Sequence, residues 1–400
     1  MGVLFRRHHG IYNLTGIGKL SLVTLILYLG TSFVSTIWAV YLQTLFDNIA
    51  YVTFFSALLS VLAFLSYFFI IPTVERNKKS SLFQISLFFI AITYVVFAFT
   101  ENIFLFLSLS IPLVILITIR VASFGIIIRD KSNPKTIPRN EGLVYTFYNL
   151  AWLVGPLIAG HISEYYGLPL VFVLSAFLIV LAILVFRLLG ITDANIQKKT
   201  DNNFFRNFVD FFKDKQRVLI YFISSGCNFW FVLIFLLFPV YLIDKNYGVI
   251  FVGYFIFFHS LPVTLLEYKS STLVSKFGFK KLFYAGFSIL IICAILSFIF
   301  IDDIYLTALF LCLSGVGIAL IEPNSEAYFL EILKGKNEEL RFYGPFNTAV
   351  DLNQLIGLLL SGLILLYVPF EFVFIMFAVA MLVFLLLVIG LKEIKIVTKK

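Results

Sequence analysis

RNEGLVYTFYNLAWLVGPLIAGHISEYYG, residues 139–167, opens in a basic loop, enters an apolar run, and carries Gly155-Pro156 and Gly160 inside that run. A second copy, RFYGPFNTAVDLNQLIGLLLSGLILLY, occupies residues 341–367. Arg139, Gly142, Gly155 and Gly160 recur as Arg341, Gly344, Gly357 and Gly362, each 202 positions later, and the same offset pairs Lys78 and Lys79 with Lys280 and Lys281. Apolar matches mean little in so greasy a chain, but matched glycines and charges point to two homologous halves.

Composition says what those halves are made of. Of the 400 residues 61% are hydrophobic and only 13% charged, where a soluble domain is nearer half and a quarter. Apolar runs of about 20 residues between short polar loops predict membrane-spanning helices. Inside lipid each helix satisfies its own backbone, and runs such as LVFLLLVIGL lack the alternation of a barrel strand. The expected fold is an all-α integral membrane protein of twelve spans. They fall at 20–44, 51–71, 81–99, 103–128, 142–162 and 168–190, then 218–242, 249–268, 282–301, 304–330, 343–367 and 369–391. The domains are an amino-terminal tail (1–19), a six-helix bundle (20–190), a central loop (191–217), a second bundle (218–391) and a carboxy-terminal tail (392–400). The first span is long enough to act as an uncleaved anchor.

The net charge of +8 is an orientation signal. With both termini cytoplasmic, the inner loops hold Arg76, Lys78 and Lys79; Lys131, Lys135 and Arg139; Lys276, Lys280 and Lys281; and Lys334, Lys336 and Arg341. Acidic residues such as Asp244, Asp302 and Glu371 fall outside. This is the positive-inside pattern of a cell-membrane protein, not a nucleic-acid footprint. Cys227, Cys293 and Cys312 lie in apolar runs and form no disulfide framework. The tail histidines His8 and His9 have no further ligands at metal spacing, so no metal is expected. The central loop carries NNFFRNFVDFFKDKQR, residues 202–217, an amphipathic helix either lying on the inner leaflet or packed beneath the bundle.

Two six-helix halves joined by a longer basic loop resemble the major facilitator superfamily. Span 5 carries Gly155-Pro156-Leu157-Ile158-Ala159-Gly160, similar to the family's GPxxGG signature of exporters, with Ala159 in place of a glycine. Span 4 has Arg120 followed by Gly125, similar to the family's intramembrane arginine motif. The loop Ser271 to Lys281 keeps the glycine (Gly278) and the basic positions (Lys276, Lys280) of a GxxxDRxGRK-like motif, with Ser275 where the acid belongs. The resemblance implies that spans 1, 4, 7 and 10 line a central cavity and that spans 5 and 11 slide during alternating access.

Arg120 is the most informative single residue. A charge so deep in a span costs about 2.5–3.5 kcal/mol unless it faces a polar interior. Its repeat partner is Glu322, and that of Arg129 is Glu331, so opposite charges occupy equivalent positions in the two halves. Arg120–Glu322 is expected as a charge pair that responds to proton or solute, with Glu326 one turn further on the same face. Asp351 is an alternative partner for Arg120. Arg129, Glu331, Lys276 and Lys280 are candidates for a cytoplasmic gate. His259 sits mid-span, and an imidazole exchanges its proton near neutral pH. Asn149, Asn228, Trp230, Asn353, Tyr28 and Trp38 are candidate cavity-lining residues. Gly155, Pro156, Gly160, Gly357 and Gly362 form the packing motif, where small residues let helices approach closely.

No phosphate loop, HExxH, CxxC or GxSxG is present, so neither ATP drive nor an enzyme is expected. The sequence predicts a monomeric, cofactor-free secondary transporter for a small molecule in the lipid bilayer. Proton-coupled export of a drug-like or metabolic compound comes first. Proton-coupled uptake of a sugar or organic acid is the alternative, and a non-transporting membrane sensor or scaffold is the alternative of another class.

Overall fold

The computed structural model describes residues 5–8, 11–46, 48–130, 137–193 and 204–394. A short antiparallel ribbon comes first: β1 (Phe5–His8) pairs with β2 (Ile11–Leu14), Phe5 opposite Leu14 and His8 opposite Ile11. The rest of the regular structure is helical. The first half holds α1 (Gly16–Leu45), α2 (Ile49–Arg76), α3 (Lys79–Phe99), α4 (Ile103–Asp130), α5 (Ile137–Tyr166) and α6 (Leu168–Leu188). A short α7 (Phe204–Phe211) follows. Then come α8 (Lys215–Val232), α9 (Phe238–Asp244), α10 (Val249–Phe277), α11 (Phe279–Ile299), α12 (Ile304–Ile332), α13 (Lys336–Asn347), α14 (Ala349–Leu365) and α15 (Glu371–Leu387).

Among the described residues, twelve segments are long and apolar enough to cross a membrane. Two of these are interrupted where the sequence suggests continuous spans. In the seventh, α8 passes through a π-helical stretch, Leu233–Leu237, before α9. Pro239 follows directly; it has no N–H to donate, and the amide of Phe238 reaches back five residues to Leu233. In the eleventh, α13 and α14 meet at Thr348, three residues after Pro345. There the Thr348 amide bonds Pro345 O at 3.2 Å, a tightened turn in place of the regular ladder.

Local chemistry sets several helix ends. Asp214 accepts from the amides of Gln216 and Arg217 at 2.9 and 3.0 Å, and Asp303 accepts from Tyr305 and Leu306 at 3.0 and 3.1 Å. Each cap stabilises its helix by about 1 kcal/mol. Gly167 (φ +87°) and Gly278 (φ +79°) reverse the chain in one residue between α5 and α6 and between α10 and α11. That conformation strains any residue with a Cβ.

The chain divides into two compact units. Unit 1 comprises Met1–Tyr41, Leu65–Asp201 and Val249–Gly253; unit 2 comprises Leu42–Phe64, Asn202–Gly248 and Tyr254–Lys400. In unit 1, α3 packs on α4 and α6, with Phe83 stacked on Phe124 at 4.8 Å and tilted on Phe186 at 5.1 Å. In unit 2, α11 packs on α12 and α15, and Gly286 lies so close to Gly317 that a Cβ there would meet its carbonyl at 2.9 Å. Many spans leave Phe and Leu bare on one face, Phe69 and Phe104 among them. Such faces suit a hydrocarbon solvent, not water.

Candidate functional site

In unit 1 the polar centre is Arg120. It lies ten residues from the Asp130 end of α4, and its side chain is buried. One guanidinium nitrogen, Nη1, donates to Thr31 Oγ1 of α1 at 2.9 Å, and the guanidinium carbon sits 5.4 Å from the Tyr28 ring centroid. Thr31 can accept because its own hydroxyl proton goes to Leu27 O, 3.0 Å away. Tyr28 in turn meets Tyr148 of α5 edge-on at 4.6 Å, and Tyr148 lies 6.0 Å from Trp152. A desolvated cation over an aromatic face gains about 2 kcal/mol. Nε of Arg120 is buried without a hydrogen-bond partner, and no carboxylate of unit 1 pairs with the residue among the described residues. Arginine carries five donors in a planar fork, so this group keeps capacity for an incoming anion.

Unit 2 holds the acids. Glu322 of α12 is exposed although it lies well within a membrane-spanning helix, and no lysine or arginine of unit 2 pairs with it among the described residues. A carboxylate at that depth suits a polar interior and not hydrocarbon. Glu322 acts electrostatically on Cys227 of α8 and shares its surroundings with Glu267 of α10 and Glu326. Glu326 accepts from the Tyr343 hydroxyl of α13 at 2.8 Å. Asp351 lies in the first turn of α14, beside the break, with Oδ2 buried and unbonded. Next to it Tyr221 OH and Thr348 Oγ1 are 3.1 Å apart. His259 is buried between Phe231 and Phe235, each ring 6.4 Å away, with neither ring nitrogen hydrogen-bonded.

The other candidates divide by environment. Trp230 is fully buried, and its indole N–H donates to Ser314 Oγ at 3.0 Å, tying α8 to α12 in the core. Trp38 packs on Phe106 at 5.5 Å and on Phe97 at 6.4 Å. Asn353 is buried, bonds Ala349 O at 3.4 Å, and borders an apolar groove of about 680 Å³ between α14 and α15. Asn228 is half-buried beside Cys227, and Asn149 is half-buried beside Tyr148. Of the gate candidates, the side chain of Arg129 lies outside the described residues and Glu331 is exposed. Lys276 Nζ sits 5.1 Å from the Phe277 ring, and Lys280 Nζ donates to Ile389 O at 3.2 Å, past the end of α15.

The packing glycines behave as pairs. In unit 1 Gly155 lies against Ser32 of α1, whose hydroxyl donates to Ala151 O at 3.2 Å, and a Cβ on Gly160 would come within 3.1 Å of Gly253 Cα. In unit 2 Gly357 lies against Phe229 and Val232 of α8, with 3.3 Å for a Cβ, and Gly362 against Thr53 at 2.7 Å. Pro156 supplies the carbonyl that Gly253 approaches, at 2.5 Å from a Cβ placed there. Thr31, Tyr343, Tyr221 and Thr348 escape sequence reasoning, because each works across helices at no fixed spacing. Asn324 also went unread, although an asparagine within a span is itself a signal. Its Nδ2 donates to Ser270 Oγ at 2.8 Å.

These two groups of residues, each within its own unit, offer charge, hydrogen bonds and aromatic faces. No cluster of three metal-ligating side chains occurs among the described residues. Three solved structures share the fold. A POT family transporter in complex with 5-aminolevulinic acid aligns with TM-score 0.79 at 12% identity, over 97% of this chain and 98% of that one. A POT family transporter in complex with a thioalcohol-conjugated peptide aligns with TM-score 0.78 at 13% identity, over 96% of each chain. The nucleoside transporter NupG aligns with TM-score 0.74 at 12% identity, over 94% of this chain and 99% of that one. No curated protein sequence matches the chain. The model of the Major Facilitator Superfamily matches residues 20–266 and again residues 259–399. The chain therefore belongs to the Major Facilitator Superfamily: it is a multi-pass membrane transporter and not an enzyme.

Proposed function

We propose that the chain is a proton-coupled secondary carrier that exports a small organic solute bearing an anionic group. The observation that carries this reading is the guanidinium of Arg120, buried, held by Thr31 and Tyr28 among the described residues, with Nε left unbonded. A fork of that kind binds a carboxylate or phosphate with two parallel hydrogen bonds. Glu322 is the proton-carrying group, supported by its place within a membrane-spanning helix and by the neighbouring acids Glu326 and Glu267. Asp351, with one buried unbonded oxygen, is the second carboxylate available to a proton or to an amine of the solute. The direction rests on the exporter-like segment from Gly155 to Gly160, and the basic loops support cytoplasmic termini.

A second reading, proton-coupled uptake of a polar solute, draws on the charge of Arg120 in unit 1 and of the acids in unit 2. Two of the similar folds were solved with 5-aminolevulinic acid and a peptide conjugate, and an amino acid of that kind carries amine and carboxylate together. Tracer flux in proteoliposomes under an imposed proton gradient tests both. Export predicts that solute moves against the proton flow, and uptake that it moves with it. Solute binding without flux, in either gradient, contradicts a carrier and leaves a sensor.

A further inference from the structure

The linker helix α7 presents two unlike faces. Its inward face is fixed to unit 2: Phe204, Asn207 and Phe211 are buried. The Phe211 ring is fully enclosed, 5.7 Å from Tyr221 and 6.1 Å from both Phe329 and Phe342. Arg341 of α13 pairs with Asp210 and donates from Nε to Asn207 Oδ1 at 2.8 Å. Arg217 of α8 donates to the carbonyls of Phe211 and Asp210, both at 3.0 Å, and its guanidinium carbon lies 4.1 Å from the Phe342 ring centroid. α7 therefore cannot roll to hide its other side. Its only carboxylate, Asp210, is engaged by Arg341 and Lys213.

The outward face splits into two strips. Phe205 is 67% exposed and Val209 46%, and with half-buried Phe212 they follow helical spacing. Beside them run Arg206 and Lys213, both exposed, with Lys215 just beyond. The residues that α7 packs against fix its level. Phe329 is three residues from the end of α12, Tyr221 six from the start of α8, and Phe342 six from the start of α13. That is the zone where membrane-spanning helices leave the hydrocarbon. An apolar strip beside a basic one, at that level, matches a helix lying in the headgroup layer.

We infer that the outward face of α7 is a binding surface for anionic phospholipid, with Phe205 and Val209 among the acyl chains and Arg206 and Lys213 on the headgroup phosphates. Two features select lipid as the occupant. The strip exposes Phe205 and Val209 as the spans expose their own apolar residues. The basic strip complements the negative leaflet that the loop lysines and arginines face. The inference is independent of the solute and of the direction of transport.

The test uses the full chain, spin-labelled in turn at Phe205→Cys, Val209→Cys and Lys213→Cys. It is reconstituted in phosphatidylcholine vesicles with and without phosphatidylglycerol. Collision with oxygen, which dissolves in lipid, is compared with collision with a water-soluble nickel chelate. Oxygen dominates at 205 and 209 and nickel at 213, and phosphatidylglycerol raises the ratio at 205 at least about twofold. The double substitution Arg206→Gln and Lys213→Gln removes that rise. Nickel dominating at 205 and 209 overturns the inference, because the face then meets water. Exclusion of both probes there also overturns it, because protein then covers the face. An equal ratio in the two lipids overturns the anionic preference. If the labelled variants fold poorly, Phe205→Trp quenched by brominated lipid reads the same contact.

Discussion

Set side by side, α5 and its repeat counterpart share their glycines but not their course. α5 runs 30 residues without a break, while the counterpart is divided at Thr348 into α13 and α14. Where α5 has Leu143, the second copy has Pro345, and where α5 has Asn149, the second has Asp351. The contrast extends to α4 and its repeat counterpart α12: α4 carries a buried cation, α12 an exposed acid. The repeat thus preserves where helices touch and changes what charge they bear. A duplicated scaffold can keep its helix contacts while the charges its two copies bear differ.

The charge asymmetry makes the largest prediction. Arg120→Ala and Glu322→Gln each lower coupled flux at least tenfold, because a hydrogen bond to a charged group contributes about 1.5–3 kcal/mol. Arg120→Lys does not restore flux, since an ammonium lacks the planar fork. Flux at the unmodified rate in both variants breaks the comparison at its centre.

The contact symmetry makes the next. Gly253→Ala in unit 1 drives a methyl against the Pro156 carbonyl, which is backbone and cannot rotate away. Gly357→Ala in unit 2 meets only the side chains of Phe229 and Val232. Overpacking costs about 1–3 kcal/mol, and Gly253→Ala falls at the upper end and Gly357→Ala at the lower. Thermal midpoints of the two purified variants give the order, and the reverse order shows that the backbone contact at Gly253 is not the stiffer of the two.

A smaller effect separates core from cavity within unit 2. Trp230→Phe loses the bond to Ser314 and costs about 1 kcal/mol of stability. Solute affinity is unchanged, and a weakened affinity in equilibrium binding places Trp230 at the site instead.

The smallest prediction concerns α7. The Lys213 hydrogen bond, with the nearby charges of Lys213, Arg341 and Arg206, holds the Asp210 carboxyl below its usual range. A lowered carboxylate stabilises docking at pH above its unfolded value and loses that stabilisation as pH falls through its folded value. Hydrogen exchange of α7 therefore quickens on acidification below the ordinary carboxylate range, and Asp210→Asn flattens the response. Exchange independent of pH in the unmodified protein shows that the ion pair does not hold the helix.

Much of this was legible in the sequence, for physical reasons. Hydrocarbon demands unbroken apolar runs, so twelve spans could be read from composition, and duplicated glycines exposed the halves. Arg120 declared itself because a charge deep in a span is costly. The break at Thr348 and the π stretch after Val232 did not, since both replace a hydrogen bond locally without altering hydropathy. Thr31 and Tyr343 were invisible because a threonine or tyrosine in a span is inexpensive and its partner lies on another helix. The linker was read as amphipathic, but not that Phe211 turns inward while Phe205 stays exposed. The wheel gives a face, and only the packing of α8, α12 and α13 decides what covers it.

The most direct test of the account is proton movement in liposomes that hold the purified protein and an internal pH dye. The panel comprises amino acids, organic acids, sugars and lipophilic cations. At least one solute with an anionic group produces a substrate-dependent pH change, and Glu322→Gln and Arg120→Ala abolish it. Tracer flux without any pH change in the unmodified protein, or a pH change that survives Glu322→Gln, contradicts the account.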